Sequence, residues 1–67
     1  MSTLFSVADL AKCAKREAGM RARVYPRWVA DGRMKRETAD REIAMMERIA
    51  ADYTARADDE EKKERLL

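Results

Sequence analysis

Hydrophobic residues recur at heptad spacing in the second half of the chain. Ala39, Ile43, Met46, Ala50, Tyr53 and Ala57 follow one another at steps of four, three, four, three and four residues. Such steps place side chains on one stripe of an α-helix, and Met45 and Ile49 widen the stripe toward a core. The pattern predicts a long helix over residues 36–60. The residues expected in its core or oligomer seam are Ile43, Met46, Ile49, Ala50, Tyr53 and Ala57.

A second helical pattern precedes it. Ser6, followed three residues later by Asp9, is typical of a helix start because the serine hydroxyl can accept a hydrogen bond from a backbone N–H in the first turn. A helix over residues 7–24 is predicted. Its apolar seam would contain Leu10, Cys13, Met20 and Val24. Cys13 is interpreted as a small buried hydrophobe on this seam, with a reactive thiol as the alternative.

Pro26 interrupts the helical pattern. The residue before a proline is biased away from helical geometry, so the first helix should end near Tyr25. Proline suits the first position of a new helix, and Gly32 suits a left-handed cap after it. We therefore expect a short helix over residues 26–31. The whole chain, residues 1–67, is predicted to be one all-α domain, a long-short-long helical hairpin with coiled-coil-like packing.

The composition limits the size of the core. The chain has 67 residues, and 12 of its apolar residues are alanine. A chain of this length buries only about 60% of its unfolded surface. We therefore expect self-association, as an antiparallel dimer. The charged segment 58–67 has little apolar surface and is expected to form a frayed tail.

The residue types exclude several kinds of chemistry. The chain has no histidine and one cysteine, so a tetrahedral zinc site and Cys-His or Ser-His catalysis are excluded. Paired carboxylates would need a walled pocket, which a few short helices rarely build. We expect no enzymatic activity, no catalytic residues, no cofactor and no metal. No transmembrane segment or secretory signal is visible, so a cytoplasmic location without membrane contact is expected.

Charge is divided unequally along the chain. Residues 1–36 carry nine Lys and Arg against three acids, whereas residues 37–67 carry six against ten, so the net charge of +2 combines +6 with −4. Arginines suit phosphates, and aromatic rings can stack on bases. The candidate contacts to a partner or to phosphates are Arg21, Arg23, Tyr25, Arg27, Trp28, Arg33 and Arg36. In the alternative, the aromatic residues plug the joint between helices and the arginines pair with acids of the last helix.

Two further features allow more than one interpretation. Met34, Met45 and Met46 could form an adaptable surface for a protein partner, although methionines at helical spacing are more often core. The acidic residues of the tail could mimic nucleic acid or shield the basic half of the chain. Lys62 and Lys63 favour a simple solubilising role for the tail, because a mimic would keep a single sign of charge.

The middle of the chain carries a recognisable set of residues. Two arginines precede Val24-Tyr25-Pro26, Gly32-Arg33-Met34 follows, and Glu42-Ile43 is succeeded by Met46 and Ile49. In these features, over roughly residues 15–53, the chain resembles short proteins encoded by bacteriophages and prophages of proteobacteria. The group has no assigned activity. The resemblance therefore implies a phage accessory protein in the bacterial cytoplasm and assigns no role to any residue.

These observations favour a function based on binding. The leading hypothesis is a small phage-type interaction module that binds a host or phage protein, with modulation or inhibition of a host defence function as one outcome. One alternative is a nucleic-acid or nucleotide binder that uses the basic segment 21–36. Another is a structural oligomeric scaffold.

Overall fold

Two α-helices make up the part of the chain that the structure, a computed structural model, describes, which is residues 4–66. Helix α1 spans Val7–Ala30 and helix α2 spans Arg36–Leu66, and they pack against each other. Ser6 caps the start of α1, and its Oγ accepts a hydrogen bond from the backbone N–H of Asp9 at 3.0 Å. No strand is present among the described residues. The predicted all-α helical hairpin is confirmed.

The predicted break at Pro26 is wrong. Helix α1 has 24 residues and continues through Pro26 to Ala30, so the expected short helix over residues 26–31 is its final part. Proline lacks the backbone N–H that would donate to the carbonyl of Ala22. Ala22 is exposed, so water can satisfy that carbonyl, while the half-buried Val29 lines a cleft together with Ala39 and Ile43 of α2. Packing therefore overrides the local preference of the proline.

The end of α1 is closed by a Schellman motif. Gly32 has a φ of +77°, the left-handed conformation that was expected for it. The N–H of Gly32 donates to the carbonyl of Val29 at 3.1 Å, and the N–H of Arg33 donates to the carbonyl of Trp28 at 2.8 Å. These bonds satisfy carbonyls at the helix end and reverse the chain over residues 31–35.

Helix α2 is longer than predicted. It continues to Leu66, past the expected end near residue 60, and includes most of the charged segment from Asp58 onward. The described side chains of this segment are exposed. Fraying of this segment in solution stays a prediction, and its last residue, Leu67, lies outside the described residues.

The core between the helices consists of alanines. Among the described side chains, the buried ones are Ala11, Ala14, Ala18, Ala39 and Ala50. The heptad positions of α2 face α1, since Ala39 and Ala50 are buried and the others are half-buried, namely Ile43, Met46, Tyr53 and Ala57. Ile49 differs from them, because 43% of it is exposed.

The predicted seam of α1 is wrong at three of its four positions, and the fourth, Val24, is half-buried. Leu10 and Met20 are exposed, and so is Cys13, which was expected to be buried. The helix instead turns Ala11, Ala14 and Ala18 toward α2. Two small side chains opposite each other allow two helices to approach closely, so the alanine stripe forms the contact and the larger side chains remain at its flank.

The hairpin is a rod. Its extents are 53 × 22 × 16 Å, and its radius of gyration is 15.5 Å. A globular chain of this length has a radius of gyration of about 11 Å. Much of the surface of both helices therefore faces solvent. Neither described helix is both long and apolar enough to cross a membrane.

Candidate interaction surfaces

One side of the hairpin exposes large apolar side chains. Leu10 and Cys13 of α1 line a shallow groove together with Met46, Ile49 and Tyr53 of α2. Met20 follows Cys13 by seven residues in α1, and Met45 precedes Ile49 by four residues in α2. Helical spacing therefore places both methionines on the same side as their neighbours. We call this surface the apolar face and define it by its exposed members, Leu10, Cys13, Met20, Met45 and Ile49.

Arg21 lines the same groove and joins the two helices. Its Nε lies 3.1 Å from Oε1 of Glu17, and its Nη1 donates to the backbone carbonyl of Glu42 at 3.1 Å. The same Nη1 is 3.5 Å from Oε1 of Glu42. The guanidinium also lies 5.8 Å from the ring centre of Tyr25. Arg21 was a candidate for phosphate binding, and the structure places it inside this intramolecular network, with 22% of its side chain exposed.

The two aromatic candidates stack on each other. The ring centres of Tyr25 and Trp28 are 5.4 Å apart, and their planes differ by 25°. Tyr25 is half-buried in the hairpin, whereas 36% of Trp28 is exposed. Tyr25 is thus partly shielded, and Trp28 keeps surface that a partner can reach.

A second surface lies on the outer side of α1. We call it the basic stripe, and its members are Lys12, Arg16, Arg23 and Arg27. They sit at positions +0, +4, +11 and +15, which fall within about 60° of the helix circumference and about 160° from the buried alanines. All four are exposed. Within residues 4–66 none of them forms an ion pair.

The stripe adds two residues to the predicted set. Arg23 and Arg27 were candidates from composition, whereas Lys12 and Arg16 were not. The signal that could have found them is the four-residue step from Lys12 to Arg16, repeated from Arg23 to Arg27. That repetition places all four on one face only if the helix passes through Pro26 without a break.

The turn between the helices continues the positive charge. Arg33, Lys35 and Arg36 are exposed and form no ion pair among the described residues. Within residues 4–66, the expected pairing of basic-half arginines with acids of the last helix is thus seen at Arg21 alone. The other described ion pairs of α2 join residues four apart on that helix. Nε of Arg48 lies 3.2 Å from Oδ1 of Asp52, and Nη2 of Arg65 lies 2.8 Å from Oε1 of Glu61.

Charge is therefore separated along the rod. The turn end carries the exposed cations Arg33, Lys35 and Arg36, and the open end carries the acids of residues 58–61 followed by Lys62 and Lys63. A cleft near the turn is lined by apolar side chains, among them Pro26, Val29, Ala39 and Ile43, together with the charged Arg36 and Asp40. Within residues 4–66 no group of three or more potential metal ligands comes together.

Comparison with known proteins finds no similarity to report. No protein-family model matches the chain. Neither the curated proteins nor the solved structures include a significant match. The function is therefore argued from the two surfaces, and the resemblance to phage proteins stays a prediction.

Proposed function

We propose that this protein is a small helical interaction module that acts by binding protein through its apolar face. The proposal depends mainly on the exposure of large apolar side chains. The large apolar side chains Leu10, Met20, Met45 and Ile49 are 38–43% exposed, while the contact between the helices is made by alanines. Contiguous exposed apolar surface on a small water-soluble domain is typical of a site for another protein.

The size of the exposed surface supports a second copy as one partner. The accessible area of the chain is 5868 Å². A compact monomer of 7.8 kDa exposes roughly 4,400 Å². The difference, about 1,500 Å², exceeds the area of about 800 Å² that each partner contributes to a standard interface. We infer a dimer in which two apolar faces cover each other around a two-fold axis.

The charge distribution favours an antiparallel arrangement of this dimer. Two rods that lie side by side in opposite directions bring the basic turn end of one chain beside the acidic residues 58–61 of the other. A parallel arrangement would place like charges together. Electrostatic complementarity of this kind selects orientation more strongly than it raises affinity.

A heterologous protein partner would use the same face. Methionine side chains are flexible and adapt to different partner surfaces, and Met20 and Met45 supply two of them here. The resemblance to phage proteins supports a partner from the host or the phage, with modulation of a host function as the result. Such a partner would compete with self-association, because both cover the apolar face.

A charge introduced into the apolar face tests self-association. Ile49→Glu should convert a dimer of twice 7.8 kDa into a monomer in sedimentation equilibrium, and Met45→Glu should act in the same way. Ala44→Glu is the matched control, because it adds the same charge at an exposed position of α2 outside the defined face. Circular dichroism verifies that each variant is helical. A wild-type chain that stays monomeric at high micromolar concentration would contradict the dimer.

A photo-crosslinking residue tests the heterologous partner. Placed at position 49 and expressed in bacterial cells, it should capture a defined protein, and purified chain should bind that protein competitively with its own dimerisation. The same probe at position 44 should capture little. Equal capture at both positions, or none at position 49, would refute binding through the apolar face.

A further inference from the structure

We propose that the basic stripe on α1, continued by the cations of the turn, binds the phosphate backbone of nucleic acid. The stripe borders the apolar face only at Met20, and its cations are not members of that face, so the inference does not depend on the proposed protein partner. It concerns the side chains of Lys12, Arg16, Arg23 and Arg27, and then Arg33, Lys35 and Arg36 at the turn.

The free charge of the stripe is the first argument. The cations of a small protein are commonly neutralised by neighbouring acids. Here every stripe residue is exposed and unpaired within residues 4–66, although α2 carries an excess of acids. Arg21 shows that an arginine of α1 reaches α2 when it lies on the inner side. The stripe faces the opposite way, so its charge remains available to an external anion.

The length of the stripe matches an extended polyanion. From Lys12 to Arg27 the helix rises about 22 Å at 1.5 Å per residue. One strand of duplex DNA presents a phosphate about every 3.4 Å along its axis, which gives about six phosphates over this length. Three of the four cations are arginines, which bind phosphate oxygens in a bidentate manner. A single phosphate or a free nucleotide would engage only a fraction of the stripe.

The neighbours of the stripe argue against a membrane surface. A helix that lies on a membrane carries a wide face of large apolar side chains beside its cations. Among the positions next to the stripe, Gly19 and Ala30 are small, and Met20 at its edge is the large apolar side chain between Arg16 and Arg23, which is less apolar surface than such a helix presents. The same sector holds no asparagine or glutamine to read base edges, so we expect binding that is largely independent of sequence.

The positions of Tyr25 and Trp28 indicate how far base stacking would contribute to nucleic-acid binding. Tyr25 and Trp28 project from α1 on a different side from the stripe, and Tyr25 is half-buried. Stacking on bases therefore contributes little. Duplex and single strands should both bind, and Trp28 fluorescence should stay nearly constant when they do.

Fluorescence anisotropy with labelled duplex DNA, single-stranded DNA and duplex RNA tests the proposal. The four stripe cations alone contribute about −3.6 to the logarithmic salt slope on duplex DNA, which weakens binding about 150-fold between 50 and 200 mM salt, and contacts from the turn would steepen it further. The double variant R16Q/R23Q removes two contacts, so its slope should be less steep by about 1.8 and its loss of affinity over the same range about 12-fold smaller than that of the wild type. The control K62Q/K63Q removes the same charge from the open end of the rod and should keep the wild-type slope.

Four results would overturn the proposal. They are no binding to any of the nucleic acids at 50 mM salt, an affinity that does not change with salt, equal losses in the two double variants, and binding confined to vesicles that contain phosphatidylserine. The substituted side chains are exposed and form no ion pair with any residue that the structure describes, so circular dichroism should show the helix content unchanged.

Discussion

Replacing Pro26 with alanine should stabilise the hairpin. Pro26 occupies the interior of α1, four residues before its last residue, and cannot donate to the carbonyl of Ala22. A proline inside a helix costs about 3 kcal/mol relative to alanine. Its ring is exposed, so the substitution removes little packing. Proline also restricts the unfolded chain, which offsets up to about 1 kcal/mol.

The expected net gain for P26A is therefore about 2 kcal/mol. In a domain of this size that corresponds to a rise in Tm of about 8–16 °C. Thermal unfolding followed by far-ultraviolet circular dichroism, at one fixed protein concentration, measures it. P26G is the matched control, since glycine restores the N–H but costs about 1 kcal/mol relative to alanine. Its gain should be about half that of P26A.

P26A also distinguishes a continuous helix α1 from a helix that ends before Pro26 and is followed by a short second helix. If Pro26 stood at the first position of a separate short helix, its missing N–H would be harmless and its fixed φ favourable. P26A would then be neutral or destabilising. A Tm that is unchanged or lower would refute the continuous helix, and the basic stripe would lose its alignment as well.

Three further substitutions test the packing. G32A should lower the free energy of unfolding by about 1–2 kcal/mol because φ at this residue is +77°; urea titration measures it, and an unaltered midpoint would contradict the Schellman turn. T54V should raise Tm by several degrees, because Thr54 Oγ1 is buried without a hydrogen-bond partner in the described part of the chain. A buried unsatisfied hydroxyl costs about 1–3 kcal/mol. T54S keeps the hydroxyl and should not raise Tm. A18L should destabilise by about 1–3 kcal/mol by overfilling the alanine contact, and a stabilised A18L protein would show that the helices lie farther apart.

The hairpin could be predicted because three local signals agree with the final packing. Ser6 caps α1, Gly32 adopts the left-handed conformation, and the heptad of α2 faces its neighbour. The seam of α1 could not be predicted in the same way. Two stripes run along that helix, one with Leu10 and Met20 and one with alanines. Residue hydrophobicity favours the first, whereas close contact with the alanines of α2 selects the second.

The candidate surfaces were predicted in part. Composition identified a basic segment, but Arg21 and Arg23, only two residues apart, have different environments in the structure. Arg21 joins the helices, and Arg23 faces solvent. The difference depends on which side of α1 faces α2. The sequence analysis assigned the wrong side of α1 to the contact, so it could not distinguish the two arginines. Likewise, the exposed apolar face consists of residues that the sequence assigned to the core.

The alanine contact has a consequence for structural uniqueness. Small side chains offer nearly the same surface after a shift of one heptad, so apolar burial alone distinguishes poorly between neighbouring registers of the two helices. Arg21 provides the distinction, because its hydrogen bond to the carbonyl of Glu42 and its ion pair with the same residue exist in one register only. A polar residue in a helical seam often fixes alignment at some expense of stability. Replacing Arg21 with leucine should therefore leave the helix content high while broadening the amide resonances, as the chain samples slipped alignments.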